Sequence, residues 1–222
     1  MKDLFRLSLL IGLVLSAPAT ANALPPGAGG EGTGCFIPTL QGTLSVQYPV
    51  PGGPSYFQST VAIDSYLNGT FDGWCSDTTR TINASTPYSI KIFTDYANLP
   101  AGAVDFAGNF NQVHWILNQG FVGTTSPGGF GIYTYGDVQR AIWTLLEALN
   151  STAGVGAFDQ NRVNEILAGA AEDGKDFEPS CDQLIAVVLV PEDASCTIDA
   201  QVTLIPVTPT QLGCCTIKSK ET

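Results

Sequence analysis

Residues 134–149 read Thr-Tyr-Gly-Asp-Val-Gln-Arg-Ala-Ile-Trp-Thr-Leu-Leu-Glu-Ala-Leu, and the period of this stretch decides the fold class. Val138, Ala141, Ile142, Leu145, Leu146 and Leu149 recur at the three- and four-residue intervals that gather side chains on one helix face. Trp143 widens that stripe, so the helix is expected to be largely buried. Two further helical patterns flank it. Ala107 to Asn118 carries Phe110, Val113, Ile116 and Leu117 at the same spacing and stops near Gly120. Asp159 stands as an N-cap before Val163, Ile166, Leu167 and Ala170, in a helix that runs to Glu172.

Outside this block the period changes. Gly42 to Tyr48 alternates as a strand before the turn-rich Pro49 to Pro54. Thr60 to Leu67 alternates again, with Val61, Ile63 and Ser65 on one face, and Asn68-Gly69 follows as a turn. Phe71 to Asp77, Tyr88 to Phe93, Leu184 to Val190 and Val202 to Val207 complete the strand-like segments. Strands, then helices, then strands give an α+β class: β-sandwich or barrel-like sheets from both chain ends, with an inserted block of about three helices. No internal repeat and no linker divides it, so residues 35–222 are expected to form a single domain.

The first residues have another purpose. Lys2 and Arg6 precede an apolar run from Leu7 to Leu15, and small residues ending Ala21-Asn22-Ala23 follow. That order is the signature of a secretory signal peptide, here residues 1–23, with residues 24–34 as a flexible leader. The run is too short for the ~20 residues of a spanning helix, and no second one follows, so the chain is expected to be secreted and not membrane-spanning. Removing Lys2, Asp3 and Arg6 takes the formal charge from −11 to about −12. Such acidity repels phosphate backbones and anionic lipid, which argues against nucleic-acid binding. Sequons at Asn68, Asn83 and Asn150 matter only in a source that glycosylates its secreted proteins.

All six cysteines, Cys35, Cys75, Cys181, Cys196, Cys214 and Cys215, lie beyond the signal. An even count in an oxidising compartment reads as disulfides, although the pairing is not legible. Adjacent Cys214 and Cys215 are expected to take different partners. No zinc-like spacing occurs, and a single histidine excludes multi-histidine metal sites, so no metal or other cofactor is expected.

Gly73-Trp74-Cys75-Ser76-Asp77 and Asp137-Val138-Gln139-Arg140-Ala141-Ile142-Trp143 together resemble the motifs of bacterial thioester domains, the tip modules of some surface adhesins. The family is recognised by an aromatic-Cys-x-Asp segment and a later Thr-Gln-x-Ala-Ile-Trp segment; here Val138 replaces the Thr. The resemblance covers roughly Phe71 to Leu146 by motif. It implies an internal thioester joining Cys75 to Gln139, with an amine-bearing surface protein or ligand as the covalently captured partner. Trp74, Trp143 and Asp77 are the residues it would place to shield the bond from water. Stalk repeats and a wall anchor, usual in such adhesins, are missing from this sequence.

Two other readings stand beside it. Cys75 as a half-cystine would make the chain a disulfide-stabilised structural or binding domain, with Gln139 a helix cap or a buried hydrogen-bonding group. Cys75 with His114, the only histidine, would make a cysteine hydrolase. Glu172, Asp173, Asp176 and Glu178 read as a solvated acidic face. The Gly-rich segment from Thr124 to Gly131 reads as a connection that would also be placed to gate the Gln139 helix.

Overall fold

The computed structural model describes residues 40–48, 53–148 and 154–215. The expected signal peptide and leader, Cys35 and the Asn150 sequon lie outside them.

Six strands, β1 (Leu40–Gln47), β2 (Phe57–Ala62), β3 (Gly69–Cys75), β4 (Tyr88–Phe93), β5 (Ile185–Pro191) and β6 (Thr203–Val207), close into one antiparallel barrel. The order around it is β1-β2-β3-β6-β5-β4. Because directly opposed residues share a face, the register fixes which side chains point inward. Leu44 and Val46 of β1, Phe57, Ser59 and Val61 of β2, and Ile90 and Ile92 of β4 face the interior. Val187 and Leu189 of β5 join Ile205 and Val207 of β6 there. Gly73 is inward too, opposite Phe57, where an added Cβ would lie 2.3 Å from the Ser59 hydroxyl oxygen. Cys75, the last residue of β3, pairs with Thr203 at the barrel's end.

β5 is buried along its whole length, on both faces, which is why its sequence is a continuous apolar run and not an alternation. Its outer face is covered by α1 (Phe110–Gln119), which follows a 3-10 turn at Ala107–Asn109 and stops at Gly120 with φ 62°. Left-handed backbone of that kind suits glycine, so the expected stop is where the sequence placed it. α2 (Tyr135–Leu146) and α3 (Gln160–Glu172) complete the block, with Asp159 capping α3 through hydrogen bonds from Asn161 and Arg162 N–H.

α2 ends sooner than its apolar stripe suggests. Segment 105–109 claims its final carbonyls: Asp105 and Phe106 N–H both donate to Leu146 O, and Asn109 Nδ2 donates to Leu145 O. Asp105 Oδ2 then accepts from Ala148 N–H, so Glu147 turns extended. At the other end Thr134 and Asp137 form a reciprocal capping box. Asp137 is wholly buried, yet its carboxylate also accepts from Arg162 Nε of α3 at 2.7 Å and from Asp159 N–H at 2.7 Å. Gly136 is required here because segment 155–157 crosses so closely that an added Cβ would meet Ala157 O at 2.4 Å. These contacts set the axial position and rotation of α2, and therefore of Gln139.

Candidate functional site

Ser76 N–H donates to Val202 O of the chain entering β6. Successive residues of a strand direct their peptide groups to opposite sides, so Cys75 directs its own away from β6. On that side β2 begins only at Phe57, opposite Gly73, and the Cys75 peptide groups have no strand partner. The side chain of Gln139 supplies one. Cys75 N–H donates to Gln139 Oε1 at 2.8 Å, and Gln139 Nε2 donates to Cys75 O at 2.7 Å. A helix side chain thus replaces the peptide of a missing neighbouring strand, with both residues fully buried.

The Cys75 thiol is in no disulfide. Its S–H donates to Asp77 O at 2.8 Å, while Asp77 N–H approaches the sulfur at 3.4 Å. Burial pushes the thiol far above its ordinary pKa, and the nearby Asp77 and Glu147 carboxylates push the same way; the Asp77 N–H and the Trp143 indole oppose them only in part. Trp143 Nε1–H is turned toward the sulfur without completing a hydrogen bond, and among the described residues it has no other acceptor.

Trp143 is buried and packs edge-on against Tyr56, with ring centroids 5.8 Å apart. Tyr56 in turn contacts Phe57 and Tyr135, so aromatic rings wall this side of the pair. Trp74 is on the outward face of β3, pointing away from the sulfur; with Val138, Ile116, Phe121 and Pro206 it lines a cavity of about 230 Å³. The main chain of Asp77 meets the sulfur, but its carboxylate is engaged elsewhere. Its Oδ1 accepts from Thr79 N–H, the Thr79 hydroxyl and Arg80 N–H, and its Oδ2 pairs with the Arg80 guanidinium at 2.8 Å, which fixes the turn leaving β3. Gln139 is the fifth residue of α2, past the first turn, so the free N–H groups of the helix start do not reach its amide.

Glu147 was not apparent from sequence. It follows Gln139 and Trp143 at intervals of four, just past the last residue of α2, and it meets Thr78 as Gln139 meets Cys75. Its Oε2 accepts from Thr78 N–H and the Thr78 hydroxyl, both at 3.4 Å. Burial, then the charges of Asp77 and Asp105, raise its carboxyl to about 7.

His114 is not brought to Cys75. It is buried on α1, where its Nε2 meets the Tyr96 hydroxyl at 2.8 Å. That hydroxyl gives its own proton to Ala186 O, so Nε2 is the donor and Nδ1 is bare. The Gly-rich loop is tied down by α3: Glu165 accepts from Ser126 Oγ, Gly128 N–H and Tyr133 OH, and Arg162 Nη1 donates to Phe130 O. Cys181 pairs with Cys215, and Cys214 is disulfide-bonded as well, so the adjacent cysteines do take different partners. Cys196 is free and exposed. It borders an open cleft of about 880 Å³, beside the Lys91–Glu192 ion pair, that includes neither Cys75 nor Gln139. Among the described residues no group of three acidic, Cys or His side chains suits a metal, and no helix is long and apolar enough to cross a membrane.

No protein-family model matches the chain, and no curated protein matches it. Among solved structures, the N-terminal thioester domain of a surface protein from Clostridium perfringens is similar, at 13% identity and a TM-score of 0.41. The match covers 74% of this chain and 97% of that one. At that distance the likeness assigns no residue.

Proposed function

We propose that this is a secreted, single-turnover covalent binder in which Cys75 and Gln139 form an internal thioester that an amine-bearing surface partner opens. The observation that supports it is the pairing of a buried free thiol with a buried carboxamide held against the same residue's main chain.

In formation, Cys75 Sγ attacks Gln139 Cδ, the C–N bond breaks and ammonia leaves. Negative charge develops on Oε1 during attack, and Oε1 is the atom that already accepts the Cys75 N–H at 2.8 Å. A fixed donor at that position stabilises the tetrahedral species without reorganisation. In capture, an amine adds to Cδ, the C–S bond breaks, and the thiol returns as the amide forms. A thioester acylates amines where a primary amide does not, because sulfur donates poorly into the carbonyl. Full burial of both residues, with Trp143 beside the sulfur and Tyr56 packed against Trp143, keeps water from the bond.

Intact mass of the mature protein tests this: the wild type should be lighter by one ammonia, and Cys75→Ala and Gln139→Ala should not. Methylamine should add to the wild type at Gln139. A wild-type mass accounted for by disulfides alone refutes the reading.

A second reading has its own support. The Gln139 carboxamide already satisfies both Cys75 peptide groups, so a disulfide-stabilised binding domain with no covalent chemistry explains that geometry as a strand substitute. The same mass measurement separates the two.

A further inference from the structure

Both chemical steps require a proton at sulfur to move, and the surroundings of Cys75 make this demanding. A thiol whose pKa burial has raised far above the ordinary value neither ionises unaided nor leaves readily as a bare thiolate. A group that accepts and then returns a proton is therefore needed.

The structure removes the usual candidates. His114 is held by Tyr96 on α1. The Asp77 carboxyl is already taken up by Thr79 and by the Arg80 guanidinium. Asp105 caps the chain at Ala148. Glu147 differs from all three. It is the residue that ends α2, only 6% exposed, and among the described residues its carboxyl has two hydrogen bonds, both at 3.4 Å and both from Thr78. No cation pairs with it among the described residues, and the charges that act on it are those of Asp77 and Asp105, both negative.

Resting on the thioester reading, we propose that Glu147 takes the Cys75 thiol proton when the thioester forms and returns a proton to the sulfur when an amine opens it. Among the described residues Glu147 has no hydrogen bond to Sγ or to the Gln139 amide, so it acts through the Thr78 hydroxyl or a water and is a positioning and relay residue. The balance closes in each step. In formation, Sγ–H gives its proton to Glu147, the S–C bond forms, and Glu147 returns the proton to the departing nitrogen as ammonia leaves. In capture, the C–N bond forms, the C–S bond breaks, the amine's surplus proton passes to Glu147 and Glu147 protonates the sulfur. A carboxyl raised to about 7 serves both directions at neutral pH.

The experiment follows methylamine incorporation into the full mature chain by mass, as a function of pH. The wild type should show an inflection near pH 7. Glu147→Gln should lose that inflection and slow by about 100-fold, the usual scale for general acid–base assistance, or fail to lose ammonia while still folded. Glu147→Asp should restore part of the rate. Asp105→Asn keeps Glu147 but removes a charge that raises its pKa, so the inflection should move to lower pH; this arm decides the matter if Glu147→Gln does not fold. A folded Glu147→Gln protein with the wild-type rate and inflection overturns the proposal, as does an Asp105→Asn profile that stays in place. A wild type that has lost no ammonia overturns the thioester reading itself, a different result from either.

Discussion

Replacing Gln139 with Met keeps the volume of a fully buried side chain but removes both of its hydrogen bonds, at 2.8 and 2.7 Å. Cys75 N–H and C=O would then be buried without partners, at a cost of about 1–3 kcal/mol each, or about 2–6 kcal/mol together. Cys75→Ala leaves those bonds intact and loses only a small buried side chain with its S–H contact to Asp77, about 1–2 kcal/mol. A cross-link changes this comparison, and because Nε2 leaves as ammonia only the bond from Cys75 N–H to Oε1 is then retained. Cys75 and Gln139 are 64 residues apart, and closing a loop of that length in the unfolded chain is worth about 4 kcal/mol on the chain-entropy scale used for disulfides. With the thioester present, Cys75→Ala should therefore cost about 5–6 kcal/mol; without it, about 1–2. Urea unfolding at fixed pH with the disulfides intact reads both variants, and methylamine-treated wild type should fall by the same ~4 kcal/mol. A Gln139→Met protein less than about 1 kcal/mol below the untreated wild type would refute the view that the carboxamide clamps Cys75. A Cys75→Ala cost of only 1–2 kcal/mol would refute the cross-link and leave the clamp.

Arg162→Ala should cost about 3–5 kcal/mol, because it strands the Asp137 carboxylate in the core, and calorimetry or urea unfolding will show it. The same variant should slow methylamine capture, since Asp137 and Arg162 set the position of the helix that carries Gln139. Burial lowers the His114 pKa to about 4, below its unfolded value near 6.5. Its stabilising contribution, about 3 kcal/mol, is therefore fully present above pH 6.5 and lost as the pH falls through 4; His114→Phe should flatten that part of the stability–pH curve. Gly136→Ala should destabilise by about 1–3 kcal/mol, because its Cβ meets a backbone oxygen at 2.4 Å that no rotamer change can move; an unchanged melting temperature would contradict the close crossing of segment 155–157.

The helices were legible because each buries a single stripe, and Gly120 and Asp159 mark a stop and a start in ordinary helix chemistry. The end of α2 was not, because the groups that take its last carbonyls belong to residues 105–109, some forty positions earlier. Strand periodicity located most of the sheet, but β2 stops at Ala62, before the expected Ile63 and Ser65, and Gly69 opens β3 where a turn was expected. Closure into one barrel depends on β3 meeting β6 across more than a hundred residues, and no local pattern carries that pairing. At the site, Cys75 and Gln139 were found through a motif and not through physics. Gln139 reads equally as a helix cap or a buried hydrogen-bonding group, and what decides between them is a strand partner 64 residues away. Strand alternation turns Trp74 outward, and Asp77 meets the sulfur through its main chain while the turn takes up its carboxylate. Glu147 is signalled only by its four-residue spacing from Gln139 through Trp143, which marks no site until the end of α2 is fixed.

The raised pKa of Cys75 also bears on what kind of chemistry the site favours. A cysteine hydrolase needs a thiolate on demand and a base to make it, and the only histidine is fixed to Tyr96. An internal thioester places the reactivity elsewhere, in an acyl carbon made once and used once, so the sulfur need be neither nucleophilic at rest nor exposed. Burial that would disable a nucleophile then becomes protective, since it excludes the water that would hydrolyse the bond. It also makes access a separate requirement, because Cys75 and Gln139 are both wholly buried and an amine reaches Cδ only after something above them moves. If the thioester forms, its capture rate should therefore respond to a partner's ability to open that cover as well as to the basicity of its amine. Small amines of equal basicity and increasing bulk separate the two: if their rates do not fall with size, the burial seen here is not the barrier.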